Sequence, residues 1–216
     1  MLPDTVLDDG RVEELRTARA LLRNWADDDL QPFAEMCADP LVMAHFPAPL
    51  SRAESHATVA RVRAHFVEHG YGLWAVEIDG GFAGWTGLSW SEVTGTRELE
   101  IGWRLARAYW GRGLATEAAG TALAYGLQQV SRIVSFSAVT NERLWRVMER
   151  IGMRREREFA HPREDLPERL RRQVLYVADR QTCRPHSVFA EPAQRPARGS
   201  SPGATRRVQG AQPMDG

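Results

Sequence analysis

Polar and apolar residues alternate from Glu98 to Leu105 (Glu-Leu-Glu-Ile-Gly-Trp-Arg-Leu), the period of a half-buried strand. Leu73 to Ile78 and Phe82 to Trp90 are two more strand segments, joined by the hairpin signal Asp79-Gly80-Gly81. Ala18 to Trp25, Ile133 to Val139 and Gln173 to Ala178 complete the strand set, the last reached over a loop from Ala160 to Leu170. Helical periodicity occupies Leu30 to Ala38, opened by an N-cap from Asp27-Asp28-Asp29 and closed by Pro40. Ser51 with Glu54 forms a capping box for a long helix over Arg52 to His69, and Gly70 ends it. Two further helices are predicted, over Ala115 to Gln128 and in the block Leu144 to Met153, with a short one around Val12 to Arg16.

The chain divides into an N-terminal extension (1–17), one folded domain (18–180) and a tail (181–216). Beyond Arg180 the sequence holds Pro185, Pro192, Pro196, Pro202 and Pro213 with scattered Gly, Ser and Arg. Such a segment has too little apolar surface to offset its chain entropy and is expected to be disordered.

Composition sets limits on function. Of 216 residues, 43% are hydrophobic, and 28 basic residues, all arginine, balance 28 acidic ones. Zero formal charge gives no nucleic-acid footprint. No apolar run is long enough to span a bilayer, and the start lacks a basic n-region, so a cytoplasmic, membrane-free protein is expected. Cys37 falls in a helix and Cys183 in the tail, which argues against a structural disulfide. His65 and His69 have a chelating spacing but no third ligand at a suitable offset, so surface histidines and no metal are expected.

The chemistry concentrates in Trp110-Gly111-Arg112-Gly113-Leu114-Ala115-Thr116, between the alternating strand and the helix that follows. Glycines at a strand-to-helix turn let the backbone approach a ligand, and the free N–H groups of the helix start favour a phosphate. An ordinary turn that merely needs glycine would look the same. A P-loop is excluded because the chain has no lysine, and a dinucleotide loop because Thr116 holds the third-glycine slot.

This loop resembles the pyrophosphate loop of the GNAT (GCN5-related) N-acetyltransferases, Gln/Arg-x-x-Gly-x-Gly/Ala, with Gly113 and Ala115 at the small positions and Trp110 in place of Gln/Arg. Glu100-Ile101-Gly102-Trp103-Arg104-Leu105 is similar to E-I-G-[WY]-x-L of the ribosomal-protein-alanine (RimJ/RimL-like) branch. Asn141 and Leu144 to Met153 resemble its N-x-x-S-x-x-x-[ML]-E-[KR]-[LI]-G-[MF] block. The resemblance covers residues 18 to about 179. It implies an α/β (α+β) acyl-CoA N-acyltransferase fold, a mainly antiparallel mixed sheet of six or seven strands with helices on both faces. It implies acetyl-CoA as acyl donor, an amine acceptor (a protein N-terminus or a small molecule), and a monomer or homodimer.

The resemblance also assigns residues. Backbone N–H groups of Gly111, Arg112, Gly113, Leu114, Ala115 and Thr116 would face the pyrophosphate, and the backbone of Ile101, Trp103 and Leu105 the pantetheine. Asn141 would contact the cofactor, cap its helix, or both. Glu100 would be the base, raised in pKa by partial burial; otherwise Glu98 and Glu100 are the solvated face of an amphipathic strand. Leu144 stands where the family's proton-donating serine is expected, leaving water, Ser135, Ser137 or Tyr109 as substitutes, or a silent acyl-CoA sensor. Asp27 to Asp29 and Glu35 hint at a cationic acceptor.

Overall fold

A computed structural model describes residues 13–181. Eight strands form one sheet: β1 Leu15–Arg16, β2 Leu21–Arg23, β3 Leu73–Ile78, β4 Gly81–Ser91, β5 Glu98–Leu105, β6 Arg132–Ala138, β7 Arg154–Ala160 and β8 Arg172–Asp179. Five helices accompany them: α1 Leu30–Ala38, α2 Arg52–His69, α3 Leu114–Gln129, α4 Glu142–Arg150 and the one-turn α5 Glu168–Arg171. The strand order is β1-β2-β3-β4-β5-β6-β8-β7. Every neighbouring pair is antiparallel except β5 and β6, which run parallel.

The mixed α/β sheet agrees with the sequence pattern; the strand count does not. Leu15–Arg16 pairs with β2 where a short helix was predicted. β7 carries no strand signal in the sequence, because Arg-Arg-Glu-Arg-Glu has no apolar alternation. It is an edge strand, where charge is tolerated and discourages edge-to-edge pairing. Ion pairs anchor it: Arg132 to Glu156 at 2.9 Å and Arg154 to Asp179 at 2.9 Å. The capping box of α2 forms as predicted, with Ser51 N donating to Glu54 at 2.8 Å and Glu54 N to Ser51 Oγ at 3.2 Å. The aspartate cap of α1 does not: Asp27–Asp29 is a 3-10 turn, and Asp29 instead accepts from Ala26 N at 2.8 Å. The proposed tail and Cys183 lie outside the described residues.

Alternation along β5 divides the molecule. Leu99, Ile101, Trp103 and Leu105 are buried on the face that α3 covers, while Glu98, Glu100, Gly102 and Arg104 share the opposite face with α1. The α3 packing is close: a Cβ on Gly126 would stand 2.6 Å from Ile133 Cδ1 and 2.8 Å from Leu88 Cδ1. Gly126→Leu is therefore expected to destabilise the protein by about 1–3 kcal/mol through overpacking, despite leucine's better helix propensity. Thermal unfolding checks this; an unchanged Tm would mean α3 can lift without cost.

Candidate active site

The joint between β5 and β6 is one of the two shortest ladders in the sheet. β5 and β6 are in register only at Leu99–Ile133 and Glu100–Val134 and then part, although each continues. Ala106 N donates to Ala83 O at 2.9 Å, which fixes the alternation of the β4–β5 ladder. The N–H and C=O groups of Ile101, Trp103 and Leu105 consequently face β6. Two of these carbonyls already have a donor: Ser135 Oγ reaches Ile101 O at 2.8 Å, and Trp110 Nε1 reaches Leu105 O at 2.8 Å. Each keeps one lone pair.

Because β5 and β6 are parallel, α3 and α4 both begin at the open end of this splay. The turn into α3 requires glycine twice: Gly111 (φ 74°) and Gly113 (φ 76°) are left-handed, and Gly113 is the N-cap. No side chain caps α3, so the N–H groups of its first turn keep their usual orphan character. Trp110, in place of Gln/Arg, folds back onto Leu105 and lies under the Arg143 guanidinium of α4 at 5.3 Å.

A clamp that the sequence did not disclose holds this turn. Arg19 Nη1 donates to Arg112 O at 2.9 Å, and Arg19 Nε to Glu117 Oε2 at 2.7 Å. Glu117 also accepts from Arg19 N at 2.8 Å and Thr17 Oγ1 at 2.6 Å. These bonds span about a hundred residues, so no local motif marks them. On the resemblance's expectation that this turn holds the pyrophosphate of acetyl-CoA, Arg19→Ala should loosen the turn and raise the acetyl-CoA dissociation constant about 3- to 10-fold, the equivalent of about 1 kcal/mol for a net hydrogen bond. Calorimetry checks it; unchanged affinity would make the clamp purely structural.

Asn141 precedes α4 but makes no side-chain cap; its Nδ2 donates to Ser137 Oγ at 2.9 Å. Leu144 and Trp145 are half-buried against the core, and the Trp145 Nε1 is buried without a partner. The Tyr109 hydroxyl stands near Gly81, on the β4 side of β5 and so opposite to β6.

Two carboxylates of β5 are driven apart by their surroundings. Glu98, despite its burial, is held below the usual carboxylate range by Arg132 at 2.8 Å and Thr94 at 2.7 Å. Glu100 has no basic partner among the described residues, and burial pushes it up to about 7, against a smaller opposing effect of Ser91. One is a structural anion and the other is poised to exchange a proton near neutrality.

Further along the same face Arg104 donates to Cys37 Sγ at 3.4 Å and stacks on Phe46 at 3.7 Å and Trp85 at 5.4 Å. Burial raises the Cys37 thiol pKa, keeping it neutral beside the guanidinium. Of the acidic residues that suggested a cationic acceptor, Asp29 pairs with Arg23 at 2.7 Å and Asp27 with Arg63 at 2.9 Å, while Glu35 accepts from the neutral Gln31 at 2.7 Å. His65 is not the surface residue expected; its ring packs on His69 at 4.3 Å and Tyr71 at 5.7 Å, and burial lowers its pKa. Among the described residues no three His, Cys, Asp or Glu gather as a metal site, and no helix is long and apolar enough to cross a membrane.

A mixed sheet splayed at one parallel joint, with a glycine turn and a bare helix start at its open end, defines an acyl-CoA N-acyltransferase architecture. The family model described as "Acetyltransferase (GNAT) domain" matches residues 19–154, and the chain belongs to that family; it is an acyltransferase. It is similar to the uncharacterized protein YkkB of Bacillus subtilis (strain 168), 30% identical over 145 residues, 65% of this chain and 84% of YkkB. A GNAT-family acetyltransferase from Bacillus anthracis shares its fold with TM-score 0.65 and 25% identity, covering 78% of this chain and 99% of that one. The fold also matches RimL, the ribosomal L7/L12 alpha-N-protein acetyltransferase solved with coenzyme A, at TM-score 0.62 and 16% identity, covering 77% and 98%.

Proposed function

We propose that this chain transfers the acetyl group of acetyl-CoA to a primary amine by direct attack, with Glu100 as the base. The observation that carries this reading is Glu100 itself, a carboxylate with no cation beside it among the described residues, raised to about 7, on the strand that borders the splay. The pyrophosphate would sit on the N–H groups of Gly113 to Thr116, with Gly111 and Arg112 completing the turn. Pantetheine would fill the gap where β6 leaves β5, bonding Trp103 and the remaining lone pairs of Ile101 and Leu105. Asn141 does not cap α4, which leaves its Oδ1 for the cofactor. An amine reaching the thioester loses its proton to Glu100, directly or through one water, and nitrogen attacks the carbonyl carbon as the thiolate departs. Of the hydroxyls weighed for the serine's place, Tyr109 is on the wrong side of β5 and Ser135 donates to Ile101 O, whereas Ser137 only accepts from Asn141 Nδ2 and keeps its own O–H for the departing thiolate. Trp145 Nε1, next to the serine slot, offers a hydrogen bond but no proton.

Leu144 in the serine slot favours a second reading, a silent acyl-CoA sensor with the same fold. Calorimetry with acetyl-CoA and a thiol-release assay over a panel of amines separate the two. Binding with turnover supports transfer, binding without turnover on any amine supports the sensor, and no binding at millimolar acetyl-CoA removes both.

A further inference from the structure

We propose that the acceptor is an amine carrying an oxyanion, a carboxylate or a phosphate, several bonds from the nitrogen, and that Arg104 holds that anion while the amine lies at Glu100. This deepens the acetyl-transfer reading and rests on it.

Arg104 is a largely buried guanidinium with no carboxylate beside it among the described residues. Its single hydrogen bond among the described residues goes to Cys37, and its Nε is buried without an acceptor. Burial of an unpaired cation is costly, and stacking on Phe46 and Trp85 with one bond to a neutral thiol does not replace a counter-ion. Nor do nearby acids supply one: Asp39 goes to Arg107 at 3.4 Å, and Asp29 and Glu77 to Arg23 at 2.7 and 2.6 Å. The Phe46 loop adds positive charge, since Arg169 donates to Phe46 O at 3.1 Å. A planar fork with unused donors, held against two rings, suits bidentate recognition of a carboxylate or phosphate.

Arg104 and Glu100 lie on one face of one strand, four residues and about 13 Å apart at their Cα atoms. Between them is Gly102, roofed by the Trp85 ring, whose Cζ3 is 3.3 Å from where a Cβ would stand. An acceptor reaching from one group to the other must pass this ring, so amine and anion cannot be adjacent as they are in an α-amino acid.

Acetylation kinetics on 1-aminobutane, 1,4-diaminobutane, 4-aminobutyrate, 6-aminohexanoate and 4-aminobutyl phosphate test the proposal. The wild-type protein is expected to prefer the anionic amines in kcat/KM, with the carboxylate and phosphate arms showing which oxyanion fits better. Arg104→Gln should reduce the ratio of anionic to neutral amine about 10- to 100-fold, the worth of a charge-assisted pair, while Arg104→Lys retains part of it. The Tm of Arg104→Gln should not fall, because an unpaired buried charge is removed. Preference for the diamine, or equal loss on every amine in Arg104→Gln, would overturn the proposal. If no amine is acetylated while acetyl-CoA still binds, the transfer reading fails separately. Quenching of tryptophan fluorescence by 6-aminohexanoate and inorganic phosphate then decides: saturable quenching lost in Arg104→Gln supports an anion site, and its absence overturns it.

Discussion

Glu100→Gln is expected to lower kcat by about 100- to 10,000-fold, the range of positioned proton transfer, with acetyl-CoA affinity unchanged. Single-turnover kinetics and calorimetry on the same preparation measure the two quantities, and equal loss in both would remove Glu100 as base. In the wild-type protein the rate should fall as pH drops through about 7, where Glu100 takes up a proton, and that limb should vanish in the variant. Stability moves in the opposite direction. A carboxylate whose folded pKa is raised from 4.5 to about 7 favours the folded state fully below pH 4.5 and loses that contribution as pH rises through 7. At pH 8 the variant should therefore be more stable than the wild type, by up to about 3 kcal/mol. A base that destabilises its own fold at working pH is the usual trade between activity and stability.

Gly113→Val is expected to weaken acetyl-CoA binding at least about 10-fold. A β-branched residue at φ 76° costs about 1–2 kcal/mol, enough to push the turn out of the left-handed conformation that aims the α3 N–H groups outward. A Cβ there would stand 3.6 Å from Arg19 Nη2, so the clamp has room and backbone strain is the larger effect. Circular dichroism should be unchanged while calorimetry shows the loss. Unaltered affinity would mean that the phosphates bind elsewhere.

The central half of the fold was legible because each signal there is local. Alternation in β5, the glycine turn, the capping box at Ser51 and the hairpin at Asp79 all lie within a few residues of what they specify. β7 was missed because an edge strand anchored by ion pairs needs no apolar period. The Asp27 to Asp29 cluster was misjudged because its partners, Arg23 and Arg63, come from different elements. Glu100 could be singled out by position, but the reason it differs from Glu98 is Arg132, 34 residues on. Arg104 passed as one more polar residue of an amphipathic strand; only the packing of Cys37, Phe46 and Trp85 around it shows that its charge is unanswered. Arg19 gave no signal at all.

The joint between β5 and β6 also has a mechanical meaning. Two residue pairs connect a five-stranded half, β1 to β5, to a three-stranded half, β6 to β8. Arg132 acts as a rivet across the line, reaching Glu98 on one side and Glu156 on the other. A molecule lodged in the gap would bear load as a substitute strand, joining the two halves beyond the point where their own ladder ends.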